Sequence, residues 1–255
     1  MLHVRLKRLA AAAVVAAAFA GGAAATASAQ VAPAGYPQQN VLPVWPDNPN
    51  DGSLSVGVLP YDEIAPKLNA LQAQSNRVSA RVGGKSSGDW DLYVVTVTAP
   101  ETPAEAAQQQ AWKEMIKDDP VRASTDADLI ANYKPTLFVN GSIHGNEYEG
   151  VDASMRVIEQ LATSTDPAVE ELLRKNRIVL NVIANPSGRI LNQRPNAAGY
   201  DVNRDMATVS QPESRLMRSL IVEHLPTFTL DLHGYVARTL IEPTTPPHNQ
   251  NYEYD

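Results

Sequence analysis

The sequence contains no cysteine, which excludes both disulfide staples and thiolate metal sites. Any transition-metal site must therefore be assembled from His, Asp and Glu, and only five histidines are available. Positive charge is also short. Against 21 Lys and Arg stand 28 Asp and Glu, a formal net charge of −7. That balance gives no support for a nucleic-acid partner. Apolar residues, at 44%, are ordinary for a globular domain.

The first residues are set apart from the rest. Arg5, Lys7 and Arg8 form a positive start, Leu9 to Ala20 is an Ala-rich apolar run, and Ala27-Ser28-Ala29 is a small-residue cleavage site. This pattern is that of a secretory signal peptide over residues 1–29, cleaved after Ala29, and too short for a membrane span. The expected product is secreted, with no membrane contact after cleavage. It is long enough to bury a single core without disulfides.

Residues 30–52 carry Pro33, Pro37, Pro43, Pro46 and Pro49 and read as an extended arm, part of which can pack on a domain through Val41, Leu42, Val44 and Trp45. The domain, 53–255, alternates helical and strand patterns. Ile64, Leu68 and Leu71 mark a helix; Arg77 to Val82 and Leu92 to Thr98 mark strands. Gly83 to Gly88 between them reads as a turn; it lacks the glycine spacing and following helix of a phosphate loop. Thr102 to Lys117 is a helix, and Asp118 to Ala131 reads as irregular. Leu137 to Ile143 and the apolar run Ile178 to Ala184 are strands, the second as expected for burial on both faces. Between them Val151, Met155, Ile158 and Leu161 line a helix, followed by a shorter one opened by Asp166-Pro167. Asn185 to Gly188 reads as a turn, Arg189 to Thr208 as a long loop, Ser210 to His224 as a helix and Phe228 to His233 as a strand. The expected fold class is α/β: a mixed, largely parallel sheet with helices on both faces.

Two histidines stand at strand ends. His144 and Glu147 follow the strand ending near Ile143, and His233 ends the last strand. Open α/β sheets place their sites at the carboxyl ends of strands. Two imidazoles and a carboxylate, with a fourth position open, form a catalytic zinc donor set. Such histidines need acceptors on their second nitrogens, and Asp201 and Asp231 are candidates. His3, His224 and His248 lack a partner motif and read as structural.

Four short motifs in order carry a resemblance. His144-x-x-Glu147, Asn185-Pro-Ser-Gly188, Gly199-Tyr-Asp-Val-Asn203-Arg204 and Asp231-Leu-His233-Gly-Tyr235 together resemble the zinc carboxypeptidase family of the funnelin type. The resemblance implies one Zn2+ per chain, held by His144, Glu147 and His233, with Asp201 behind the first histidine. It implies that Asn203 and Arg204 clamp the terminal carboxylate of a peptide or protein C-terminus. Arg194 would polarise the scissile carbonyl and steady the oxyanion, and Tyr235 would line the neighbouring subsite. The activity implied is hydrolysis of the C-terminal peptide bond by metal-activated water.

The departures matter too. The family's general-base glutamate lies many tens of residues past the second zinc histidine, and the sequence ends at Asp255. The expectation is an incomplete domain without that glutamate, the later strands or the specificity pocket. Asn146 is closer to the regulatory-type branch and to deacylase relatives than to digestive members. Alternatives are an N-acyl amino acid deacylase, a cell-wall peptide hydrolase, and a non-catalytic remnant that binds zinc and peptide.

Overall fold

The structure is a computed structural model that describes residues 41–234. The expected signal peptide and the start of the arm lie outside the described residues, as does Tyr235. Helices α1 (Ser53–Val56), α2 (Ile64–Gln74), α3 (Pro103–Asp118), α4 (Pro120–Ala123), α5 (Ala127–Asn132), α6 (Glu149–Thr163), α7 (Pro167–Lys175), α8 (Pro186–Ile190) and α9 (Pro212–His224) surround five strands. The strands are β1 (Val78–Lys85), β2 (Asp91–Val97), β3 (Thr136–Gly141), β4 (Arg177–Asn181) and β5 (Phe228–Leu232). Their order across the sheet is β1-β2-β4-β3-β5. The β1–β2 and β2–β4 pairs are antiparallel, and the β4–β3 and β3–β5 pairs are parallel. The sheet is thus mixed, with the parallel half at its centre and at the β5 side.

The apolar runs explain the layering. On β2, Tyr93, Val95 and Val97 join Leu68 of α2 and Val151, Met155 and Ile158 of α6 in one core. Leu92 and Val94 point the other way, onto Leu216 and Leu220 of α9. Alternation along a strand forces this split, so a strand covered on both faces must be apolar throughout. All of β2 and β4 is buried. Among the described residues β5 is the last strand on its side, and Phe228 and Leu230 are 57% and 44% exposed.

Several local expectations are corrected. Gly83 and Gly84 lie inside β1, which bulges between Val82 and Gly84 and pairs with β2 out to Lys85–Asp91. A Cβ on Gly83 would press on Val94 and Leu216, so this glycine admits α9 close to the sheet. The irregular stretch after Lys117 contains α4 and α5, opened by the side chains of Asp119 and Asp126. The whole excursion is pinned beneath the sheet by Glu101, which takes a forked bond from Arg177 (2.7 and 2.9 Å) and Lys134 at 2.8 Å. Of the arm, Leu42 is buried and exchanges two hydrogen bonds with Asn69, while Trp45 stacks on Trp90. Val41 and Val44 stay exposed.

Candidate metal centre

The carboxyl ends of β3 and β5 lie side by side in parallel register, Gly141 opposite Leu232. The chain leaves β3 into Ser142 to Tyr148 and enters α6; it leaves β5 directly into His233. One imidazole and one carboxylate from the first exit therefore meet one imidazole from the second. Ligand atoms of His144, Glu147 and His233 lie within 4.8 Å of one another. Nδ1 of His144 is 2.8 Å from Glu147 Oε1, and Nδ1 of His233 is 2.8 Å from Glu147 Oε2. The Gly234 amide donates to the same Oε2 at 3.0 Å.

Each imidazole has a second carboxylate behind it. Nε2 of His144 lies 3.3 Å from Asp201 Oδ1, and Nε2 of His233 lies 3.3 Å from Asp231 Oδ2. Burial works against the charge on Glu147, but hydrogen bonds from His144, His233 and Gly234 outweigh it and hold this carboxyl far below the usual carboxylate range. The Asp231 and Glu147 carboxylates raise the pKa of His233 to about 10.

This arrangement tests whether the residues suit a metal. A neutral imidazole donates one hydrogen bond, yet each ring has both nitrogens facing carboxylate oxygens. Three carboxylates around two rings call for added positive charge between Nδ1 and Glu147. Protons on the rings supply it, and so does one divalent cation. With Nε2–H directed at an aspartate, the Nδ1 lone pair is left for the metal. Two nitrogens and a carboxylate are a donor set zinc accepts. The residues fit.

The surrounding motifs hold this geometry. Asn185 is fully buried; its Oδ1 caps α8 through the Gly188 amide (2.9 Å), and its Nδ2 donates to the Arg194 carbonyl at 3.1 Å. The Asn-Pro-Ser-Gly stretch, read as a turn, is thus a helix start. Gly145 sits directly on it, since a Cβ there would be 2.0 Å from the Gly188 carbonyl carbon. Arg194 Nε donates to Asp201 Oδ2 at 2.9 Å, and its guanidinium is 3.7 Å from Glu147 Oε1. Asp201 Oδ1 also takes the Asn203 amide at 3.0 Å. One carboxylate therefore ties His144, Arg194 and the Val202–Arg204 turn together. Arg204 is exposed; its guanidinium donates to the Asn203 carbonyl at 3.2 Å and pairs with no carboxylate among the described residues.

Arg189, at the start of the stretch read from the sequence as a long loop, is 0% exposed. It donates to the carbonyls of Tyr148 (2.9 Å) and Leu59 (2.7 Å) and pairs with Asp152 at 3.0 Å. Asp205, which sequence reading gave no role, is buried and takes hydrogen bonds from Thr208, Ser210, Gln211 and Ser214. It thereby fixes the turn after Arg204 onto the start of α9.

Comparison with known proteins bears on the family and the fold. The zinc carboxypeptidase family model matches residues 64–208, more than half of the chain. The chain is similar to carboxypeptidase 2 of Trichophyton tonsurans, at 28% identity over 42% of this chain and 20% of that protein. It is similar to carboxypeptidase D of Mus musculus, at 30% identity over 40% of this chain and 9% of that protein. Among solved structures, a metallo-carboxypeptidase from Burkholderia cenocepacia superposes with a TM-score of 0.54 and 20% identity, covering 70% of this chain and 41% of that one. A metallo-carboxypeptidase from Pseudomonas aeruginosa gives 0.52 and 21%, covering 70% and 40%. The matched stretch is about a fifth or less of these curated relatives' length.

Proposed function

Because this chain belongs to the zinc carboxypeptidase family, we propose that it works in a secreted metallocarboxypeptidase that hydrolyses C-terminal peptide bonds. The observation that carries this reading is the convergence of His144, Glu147 and His233 within 4.8 Å. These three would hold one zinc ion, which acidifies the attacking water and polarises the scissile carbonyl. Asp201 and Asp231 keep the two rings oriented with Nδ1 inward. Arg194, its side chain 43% exposed beside Glu147, is placed to steady negative charge on the carbonyl oxygen. Arg204 offers its guanidinium fork, and Asn203 its amide, to the substrate's terminal carboxylate. On the family resemblance, Tyr235 would contribute to the adjoining subsite. Residues 1–29 are the export signal, 30–52 the arm and 53–255 the catalytic-type domain. Among the described residues, this chain would supply metal holding, carbonyl polarisation and the carboxylate clamp.

The test is to purify the secreted protein, count bound zinc by mass spectrometry, and follow release of free amino acid from N-blocked dipeptides with and without a chelator. One zinc per chain and chelator-sensitive release of the C-terminal residue are expected. Release of acetate or succinate from N-acyl amino acids instead would move the function to a deacylase. Activity on cell-wall peptides alone would make it a cell-wall hydrolase. Zinc without turnover of any of these would leave a binding protein.

A further inference from the structure

A row of polar side chains crosses the centre of the sheet beside the candidate metal centre. Asn181 on β4 is in register with Asn140 on β3, and Asn140 with Asp231 on β5. Asn181 Nδ2 donates to Asn140 Oδ1 at 2.8 Å, and Asn140 Nδ2 donates to Asp231 Oδ1 at 2.8 Å. The other oxygen of Asp231 faces His233 Nε2 at 3.3 Å. The direction of the row follows from chemistry. An ionised carboxylate only accepts, so Asn140 must turn its NH2 to Asp231 and its oxygen to Asn181.

Asn140 and Asn181 are 3% and 1% exposed, and they continue the face that carries Phe138 and Val179. Two apolar side chains would fill that face without the cost of burying amides. Core packing therefore does not account for them. The parallel register of β3 and β5 supplies a reason, since it sets Asn140 opposite Asp231. A slip of one residue would send Asp231 and His233 to the opposite face. The Asn140–Asp231 bond opposes that slip, and it leaves the second carboxylate oxygen aimed at the ring.

We propose that Asn140, backed by Asn181, is a positioning residue for His233. It fixes the β5 register and the Asp231 carboxylate, and through them presents Nδ1 of His233 to the metal. The proposal rests on reading His233 as a zinc ligand.

The test measures zinc affinity of the purified protein by competition with a chromophoric chelator, and the visible spectrum after exchange to Co2+. Urea melts of the chelated proteins run alongside. His233→Ala tests the underlying reading and is expected to lose the site. Asn140→Leu is expected to weaken zinc by about 10- to 100-fold, the usual effect of losing an outer-shell partner, and to alter the Co2+ spectrum. In an Asp231→Ala background the same substitution should change affinity by less than about twofold, since the effect runs through Asp231. Asn181→Leu should act in the same direction with smaller size, and it serves if Asn140→Leu does not fold. If both Asn variants bind zinc as the parent does while His233→Ala has lost it, the positioning role is refuted. An Asn140→Leu effect that persists in full without Asp231 also refutes it. Parent-like zinc binding by His233→Ala would instead overturn the ligand reading beneath it.

Discussion

Gly145→Ala is the sharpest single perturbation of the candidate centre. The glycine lies between His144 and Glu147, and its backbone rests on the Asn185-capped helix start. An added Cβ would stand 2.0 Å from the Gly188 carbonyl carbon, 2.3 Å from Gly188 Cα and 2.3 Å from the Arg189 amide nitrogen. All three are backbone atoms of buried residues, so no rotamer change relieves the clash. Reaching an ordinary contact of 3.4 Å needs a relative shift of about 1.4 Å. Metal ligand distances tolerate roughly 0.2 Å, and the shift falls on a loop that carries two of the three candidate ligands. Zinc affinity should fall by at least about 100-fold, near 2.7 kcal/mol. Overpacking of this kind should also lower stability of the chelated protein by about 3 kcal/mol or more. Gly84→Ala is the control. It lies in β1 with nothing within 4 Å of the added Cβ, and it should move stability by no more than about 0.5 kcal/mol. Chelator competition and urea melts read both quantities. A folded Gly145→Ala that binds zinc within threefold of the parent would refute the close-approach argument.

Other consequences are equally direct. Removing zinc should lower the melting temperature, and restoring it to about 100 times its Kd should return about 2.7 kcal/mol; Glu147→Ala should show neither response. Arg189→Met leaves Asp152 and two carbonyls without their buried cation, so urea melts should show a loss of about 3–5 kcal/mol, and a loss under 1 kcal/mol would mean the guanidinium is not held as described. His224 is buried, and burial lowers its pKa to about 4. The unfolded chain takes up this proton first as pH falls. The stability that the neutral ring contributes is complete above pH 6.5 and is lost towards pH 4, by about 3 kcal/mol at most. His224→Gln should flatten that window in melts run with chelator, and an unchanged slope would show that another group sets it.

Much of this was open to reading because the signals were long or paired. The helix faces of α2, α6 and α9 repeat every three to four residues, and β4 announces burial on both sides by having no polar alternation. The candidate ligands stood out because His144-x-x-Glu147 and Asp231-Leu-His233 each fall at the end of a strand pattern. What escaped was decided by distant partners. Two glycines argue for a turn, yet β2 extends the ladder past them. α4 and α5 have four and six residues, too few for a periodicity to show. Arg189 looks solvated beside Asn192 and Gln193, and only Leu59, Tyr148 and Asp152, far off in sequence, enclose it. Asn140 and Asn181 did leave a trace, a polar residue inside each of two apolar strands, but their meaning depends on which strands are neighbours.

The centre joins two unlike parts of the sheet. His144 and Glu147 leave β3 on a loop that is buried and wedged against α8, whereas His233 hangs from β5, whose ring side chain is 40% exposed. Glu147 is the link, since one oxygen meets His144 and the other takes both His233 and the Gly234 amide. The contacts that join β5 to the centre are polar: the ladder to β3, the Asn140–Asp231 bond and the Glu147 contacts. A cation seated among the three ligands would add a bond of each kind to both parts at once. Metal binding and the docking of β5 are therefore coupled, and whatever loosens one should be read in the other.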